Sequence, residues 1–399
     1  MITQIPKGYQ EWFSVVMRKM PHLSKSQAVG LAMWSFGIAI TQSCGLSTVA
    51  VFLAEIQHRS ENNVREQLRQ WYKEKSHKYG RKRQEIEVSE SFAFLLLWIL
   101  SWWSSDEKSL VLAADASTLG KRFTVLVISV VYRGCGIPVA WKIVGATEKG
   151  SWQPYWHQLL NQVKQGIPDD WFVIVTTDRG LYAKWFYQGI VANGWHPLMR
   201  INAQGYYQPS QVLGDQPPSF LPLSGLITEV GQHWSGRVRC FRSNCVDCTL
   251  LARWDHGYAD PWLMLTDLSP QQAQIYWYSM RSWIECLFKD IKRGGFGWHH
   301  TKMTDPKRAE RLWLAIAVAT IWLVGVGGNT DTSLSASSLS VETDDDGLDA
   351  VPLQFSTHSQ QPLSLSCFRR GFLRILASVI QQMPLPMGCF SPSFSLSSA

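Results

Sequence analysis

No uninterrupted apolar stretch in the 399-residue chain reads as long enough to span a membrane. The longest, Phe92 to Trp103 and Leu312 to Gly328, fall short of the roughly 20 residues a spanning helix needs, so both are expected to be buried helices and no membrane partner is expected. The opening MITQIPKGYQEWF has no apolar core behind a basic tip and does not read as a secretory signal, which leads to the expectation of a cytoplasmic protein. Cysteine is sparse: eight are scattered irregularly, most in apolar runs such as Ser282 to Phe288, which argues against a disulfide framework and for reduced core thiols. The C-x2-C pair Cys245 and Cys248, with Cys240 nearby, has no second closely spaced pair and lies in a strand-like stretch, so no zinc is assigned. There is no internal repeat.

What is present is core-forming material. Hydrophobic residues make up 46% of the chain, enough for a sizeable core and, at this length, more than one domain. Lys and Arg total 38 against 31 Asp and Glu, and the net charge of +7 favours an acidic polymer or surface as partner; nucleic acid fits. From Ser24 to about Trp71 apolar residues recur at three and four positions, with Gly30, Gly37 and Gly45 as breaks or close contacts, predicting an α-helical module over 1–105. Its segment Glu61 to Lys75 sets Arg65, Arg69 and Lys73 on one helix face, continued by the cations up to Arg83. That strip reads equally well as a solvated face or as phosphate contacts.

Beyond Trp103 the period changes. Leu110 to Ala114, Phe123 to Tyr132 and Ile137 to Val144 read as strands, Ser151 to Gln165 as a helix, Trp171 to Thr177 as a strand, Gly180 to Asn193 as a helix and Pro197 to Ile201 as a strand. A meander followed by helix–strand units predicts an α/β body, a mixed sheet flanked by helices, over 106–203 and 268–327. Between these parts, 204–267 is rich in Gly, Pro and short alternating runs (Arg237 to Arg242, Asp247 to Trp254, Trp262 to Thr266) and reads as a β-rich insertion. Pro270 to Arg293 and Asp305 to Val326 read as two long helices, the first ended by the Gly294 to Gly297 loop. Over 328–399 Ser, Thr and the acidic run Asp344 to Asp346 predict a mostly disordered linker, followed by a short basic helix over Ser364 to Gln382 and a disordered Pro- and Ser-rich tail.

Two aspartates stand where chemistry needs them. Asp115 follows the strand Leu110 to Ala114 and Asp178 follows Phe172 to Thr177, so each would be held by a sheet yet open to a crevice. Taken singly, either serves equally as a turn or helix-capping residue. More informative is the helical pattern containing Tyr278, Arg281, Glu285 and Lys292: at about 100° per residue these four fall within about 60° of one another, beside an apolar face of Trp277, Met280, Ile284, Leu287, Phe288 and Ile291. An acid flanked by Arg, Lys and a phenol suits a site where a carboxylate binds a divalent metal while its neighbours grip phosphates. The same stripe is also what an exposed helix face with an Arg281–Glu285 pair would look like.

These four residues fit Y-x2-R-x3-E-x6-K at every required position, and the chain thereby resembles the insertion sequence four type DDE transposases. The likeness runs from about Leu23 to Leu323, with local matches at Asp178-Arg179-Gly180, Arg200, Pro261-Trp262-Leu263 and Thr304-Asp305-Pro306. It implies a ribonuclease H-like fold in which Asp115, Asp178 and Glu285 hold two magnesium ions, with manganese as a substitute. Tyr278, Arg281 and Lys292 would contact DNA beside the cleaved end. Trp262 would stack on a base extruded from the DNA, although with 20 tryptophans in the chain a structural role is the more ordinary reading. Arg179 and Arg200 would be secondary DNA contacts or ion-pair residues. His299 and His300 read as DNA-facing or surface residues and are assigned no role. The expected partners are double-stranded DNA, as terminal inverted repeats bound by the helical module and as target, and a second copy of the chain; the expected setting is the prokaryotic nucleoid. Hydrolysis at the element end would free a 3′-hydroxyl that attacks target DNA. Alternatives are a ribonuclease H-like nuclease or resolvase, and a transposase-derived DNA-binding protein without catalysis.

Overall fold

A computed structural model describes residues 7–80, 83–103, 106, 108–148, 150–210, 219–328 and 365–390. The chain begins with five helices, α1 (Lys7–Lys19), α2 (Lys25–Thr41), α3 (Leu46–Gln57), α4 (Glu61–Tyr72) and α5 (Phe92–Ser101). Ser24 and Gln27 form a capping box that starts α2, the Ser24 N–H donating to the Gln27 amide oxygen at 2.8 Å. Gly30 and Gly37 lie inside α2 as contact points: a Cβ on the first would meet the Trp71 ring at 2.0 Å, and one on the second the Val49 side chain at 2.5 Å. Of the basic strip, Arg69 and Lys73 pair with Glu66, which neutralises part of it, while Arg81 and Lys82 lie outside the described residues.

The body follows as β1 (Ser109–Leu119), β2 (Phe123–Tyr132), β3 (Cys135–Gly145), α6 (Gln153–Lys164), β4 (Phe172–Thr177), α7 (Lys184–Ala192) and β5 (His196–Arg200). Arg133 and Gly134, both with positive φ, form the two-residue turn between β2 and β3, the geometry that matches strand twist in a hairpin. β1 to β3 form an antiparallel meander, and β4 and β5 add in parallel on the other side of β1, giving the order β3-β2-β1-β4-β5. This is the mixed sheet flanked by helices that the order of elements predicts. One expectation changes: Asp115 does not end its strand, because β1 runs on to Leu119 paired with β2. What ends there is β4, whose last residue Thr177 lies opposite Ala114, so the sheet opens on one side of Asp115.

The stretch 204–267 folds as β6 (Tyr206–Pro209), β7 (Leu221–Pro222), β8 (His233–Cys240), β9 (Val246–Arg253) and β10 (Trp262–Thr266). It is not a separate sheet. β10 pairs antiparallel with β5, Met264 opposite Arg200, and extends the body to ten strands in one sheet. After it come a 3-10 segment, Ile275–Ser282, and α8 (Trp283–Ile291), then α9 (Pro306–Gly328) and α10 (Cys367–Ile380). The linker expected before α10 falls at 329–364, outside the described residues.

α9 is the central post. At 23 residues it is longer than its apolar run suggested and meets the length and hydropathy of a membrane span, yet that window is wholly buried within the protein. It packs on β3, on α2 and on α10. Trp12 of α1 stacks on Trp322 of α9 at 4.0 Å, so the helical module and the α/β body share one core and no boundary in packing separates them. Gly327 and Gly371 let α9 and α10 cross at backbone contact: a Cβ on Gly371 would lie 1.8 Å from the Leu323 carbonyl oxygen. The segment after α10 departs from the disorder expected of its composition as far as Phe390: the Trp322 indole donates to the Pro386 carbonyl at 3.0 Å, and the Phe390 N–H donates to the Trp102 carbonyl at 2.7 Å. Leu385 and Phe390 are buried, and these apolar anchors outweigh the Pro and Ser around them. The tail beyond, 391–399, lies outside the described residues.

Candidate active site

The register of β1 on β4 puts Asp115 and Asp178 side by side, each one residue beyond the Ala114–Thr177 pair. Backbone N–H groups orient both: Ala116 donates to Asp115 Oδ1 at 2.7 Å, and Leu181 donates to Asp178 Oδ1 at 3.0 Å. The motif segment lies across them, but not as the single helix its spacing predicts. Tyr278 and Arg281 sit on the 3-10 segment, Glu285 is in the first turn of α8, and Lys292 is its C-cap. The tighter 3-10 winding changes the angular phase but keeps Arg281 and Glu285 four residues apart on the side facing β1.

Arg281 draws the acids together. Its Nη2 lies 2.8 Å from Asp115 Oδ2 and 3.6 Å from Asp178 Oδ2, and its Nη1 lies 2.5 Å from Glu285 Oε1. Exposure rises outward through the cluster, with 14% of each side chain accessible for Arg281 and Asp115, 38% for Asp178 and 61% for Glu285. Burial pushes the Asp115 carboxyl up to about 6; Arg281 opposes that shift and the neighbouring Asp178 adds to it. Burial works against the Arg281 charge, but the carboxylates, Asp115 foremost, hold its pKa above the usual guanidinium value.

Lys292 reaches the next residue on the same face of β1, donating to Ser117 Oγ at 3.0 Å. Burial lowers its pKa, and Asp115 opposes the shift. Tyr278 is buried, and its ring meets Trp262 edge to face at 5.2 Å. Its hydroxyl is pushed up to about 12 by burial, against the pull of Arg281 and Arg200. Arg200 of β5 favours the ionised form of that hydroxyl by its charge, and its own pKa is lowered by burial. Trp262 sits half-buried between Tyr278 and Tyr258, the latter at 5.0 Å. Arg179 stands apart at the surface, paired with Asp260 at 3.2 Å. His299 reaches the site only through the Lys292 backbone carbonyl, 3.2 Å from its Nδ1, and its ring lies tilted against His300.

Ser117, Tyr258 and Asp260 are partners that sequence reading did not name. Only Ser117 left a signal, since it lies two residues after Asp115 in what proves to be a strand and therefore shares its face. Cys245 donates to the Phe241 carbonyl at 2.9 Å, and the described cysteines are free thiols.

Three carboxylates converging on one cation form an all-oxygen donor set, which suits hard divalent ions such as magnesium or manganese. Among the described residues, however, no three His, Cys, Asp or Glu side chains stand close enough to hold an ion as they are placed. The Arg281 guanidinium fills the space between the acids, and it marks where positive charge is wanted.

A family model described as the transposase DDE domain matches residues 108–322, more than half of the chain, from the start of β1 to the last third of α9. The chain belongs to that family. It is a DNA transposase, and as such an enzyme that cleaves and transfers DNA with divalent metal ions. Among solved structures, the cryo-EM structure of a piggyBac transposase synaptic complex with hairpin DNA aligns with a TM-score of 0.36 and 11% identity, over 79% of this chain and 70% of that one. No curated protein sequence matches the transposase significantly. The matched span contains Asp115, Asp178 and Glu285 together with Tyr278, Arg281, Lys292 and Trp262, and it excludes α1 to α5 and α10.

Proposed function

We propose that this transposase cleaves at the ends of an insertion element and joins the freed 3′-hydroxyl to target DNA, with Asp115, Asp178 and Glu285 as ligands for two magnesium ions. The observation that carries this reading is the convergence of all three carboxylates within 3.6 Å of one guanidinium. When bound, such ions activate the attacking oxygen and stabilise the leaving one at phosphorus. The protein supplies the rest. Backbone N–H groups hold Asp115 and Asp178 in fixed rotations at the sheet opening, which limits the reorganisation needed before reaction. Lys292, anchored to Ser117, and Tyr278, packed against Trp262, flank the carboxylates and fix phosphates by charge and hydrogen bond. Arg179 adds a rim contact. α1 to α5 bind the terminal inverted repeats, and two copies of the chain pair to bring two ends together.

Purified transposase with magnesium is expected to join a precut element end covalently to plasmid DNA. Nicking of the plasmid without joined product would show a nuclease, and binding without either would show a protein that has lost catalysis. In the same assay Trp262→Ala is expected to slow joining by about 1–3 kcal/mol of lost stacking on an extruded base, with Trp262→Phe retaining most of the rate. Equal rates for Trp262→Ala and wild type would leave this tryptophan with packing alone.

A further inference from the structure

Arg281 is placed for two incompatible tasks, since both of its terminal nitrogens, the pair that would grip a phosphate, are spent on carboxylates. A guanidinium offers five donors in a rigid fork and pairs with carboxylate or phosphate by the same bidentate geometry. Here one Nη faces Asp115 and Asp178 and the other faces Glu285, while Nε is buried without a hydrogen-bond partner. So long as the fork stays there, the three acids cannot close on an ion. It also offsets part of the repulsion among them, which a metal-free protein must relieve in some other way.

We propose that Arg281 is an internal counter-cation that blocks the metal site until a DNA phosphate draws it away, so that metal loading and DNA engagement favour each other. This rests on the reading of Asp115, Asp178 and Glu285 as the metal ligands. Three features of the geometry support the exchange. The cluster opens on the Glu285 side, its most exposed member, so a phosphate meets Arg281 from there. Lys292 is held by the neutral Ser117 hydroxyl and lies over the Phe288 ring at 5.3 Å, both uncharged partners, which leaves its charge to seat that phosphate beside the fork. Arg281 itself lies on a short 3-10 segment, whereas Asp115 belongs to the sheet, so the side chain can swing while the acids stay in place. The consequence is restraint: away from DNA the carboxylates are occupied, and a metal-dependent nuclease centre stays unassembled. By linkage, whatever DNA adds to metal affinity, metal adds to DNA affinity.

The test is manganese binding to the full chain by titration calorimetry, without DNA and with a short blunt DNA duplex. Arg281→Gln is expected to bind manganese at least about tenfold more tightly than wild type in the absence of DNA, within the range of typical coupling factors. The duplex should raise manganese affinity in wild type and leave the variant nearly unchanged. Arg281→Lys, which keeps the charge but loses the fork, should fall between, and circular dichroism in EDTA checks that each variant is folded. Equal or weaker manganese binding by folded Arg281→Gln would overturn the block while leaving the ligand assignment intact. If the tightened binding survives in the double variant Arg281→Gln with Asp115→Asn, or if no form binds manganese, the ligand assignment itself fails and takes the proposal with it.

Discussion

Asp115→Asn is expected to slow magnesium-dependent cleavage of an element end by at least about a thousandfold, roughly 4 kcal/mol of transition-state stabilisation. The amide has the size of the carboxylate and its oxygen can still accept from the Ala116 N–H, so the strand and its neighbours should keep their places. What is lost is the negative charge at the most enclosed of the three acids, the one Arg281 approaches most closely after Glu285. Single-turnover cleavage of a labelled end, with duplex binding measured in parallel, separates the two effects: the rate should collapse and the binding should persist. Cleavage at the wild-type rate would remove Asp115 from the chemistry.

The second large effect concerns the core rather than the reaction. Arg311→Ala is expected to destabilise the fold by about 1.5–3 kcal/mol, the loss of charge-assisted hydrogen bonds at a part-buried junction. Arg311 is 3% exposed on α9, and its guanidinium donates to the Tyr72 carbonyl at 2.9 Å, to the Ile86 carbonyl at 3.2 Å, and to the carboxylates of Glu74 and Glu85. It therefore ties the segment after α4 to the helix at the centre of the body. Its loss would take a donor from two carbonyls and from Glu85, while Glu74 would keep its pairing with Arg308 at 2.9 Å. Denaturant unfolding should show a lowered midpoint, and hydrogen exchange should quicken first around residues 72–86. A midpoint unchanged within about 0.5 kcal/mol would mean that the junction contributes nothing to stability.

Local chemistry made much of this legible in the sequence. β2 is found from Phe123 to Tyr132, as the β-branched run between Arg122 and Arg133-Gly134 predicts, because both ends are set by turns a few residues long. The four motif residues were identifiable by spacing, and the structure brings Arg281 and Glu285 into contact across one turn. What failed was non-local. The apolar run Leu110 to Ala114 stops before Asp115 and so suggests a strand end there, yet pairing with β2 carries the strand on through Ser117 to Leu119. How the β-rich insertion joins the body is not written in local pattern, and only the pairing of β10 with β5, more than 60 residues apart along the chain, reveals one sheet. Arg281 as a bridge among three acids could not be foreseen, since it depends on the register that sets Ala114 opposite Thr177.

The most direct examination is a crystal structure of the transposase bound to an element end in the presence of manganese, located by its anomalous scattering. The account predicts metal between Asp115, Asp178 and Glu285, with the Arg281 fork turned away onto a DNA phosphate. Manganese bound elsewhere, or held while Glu285 remains turned toward solvent, would contradict it.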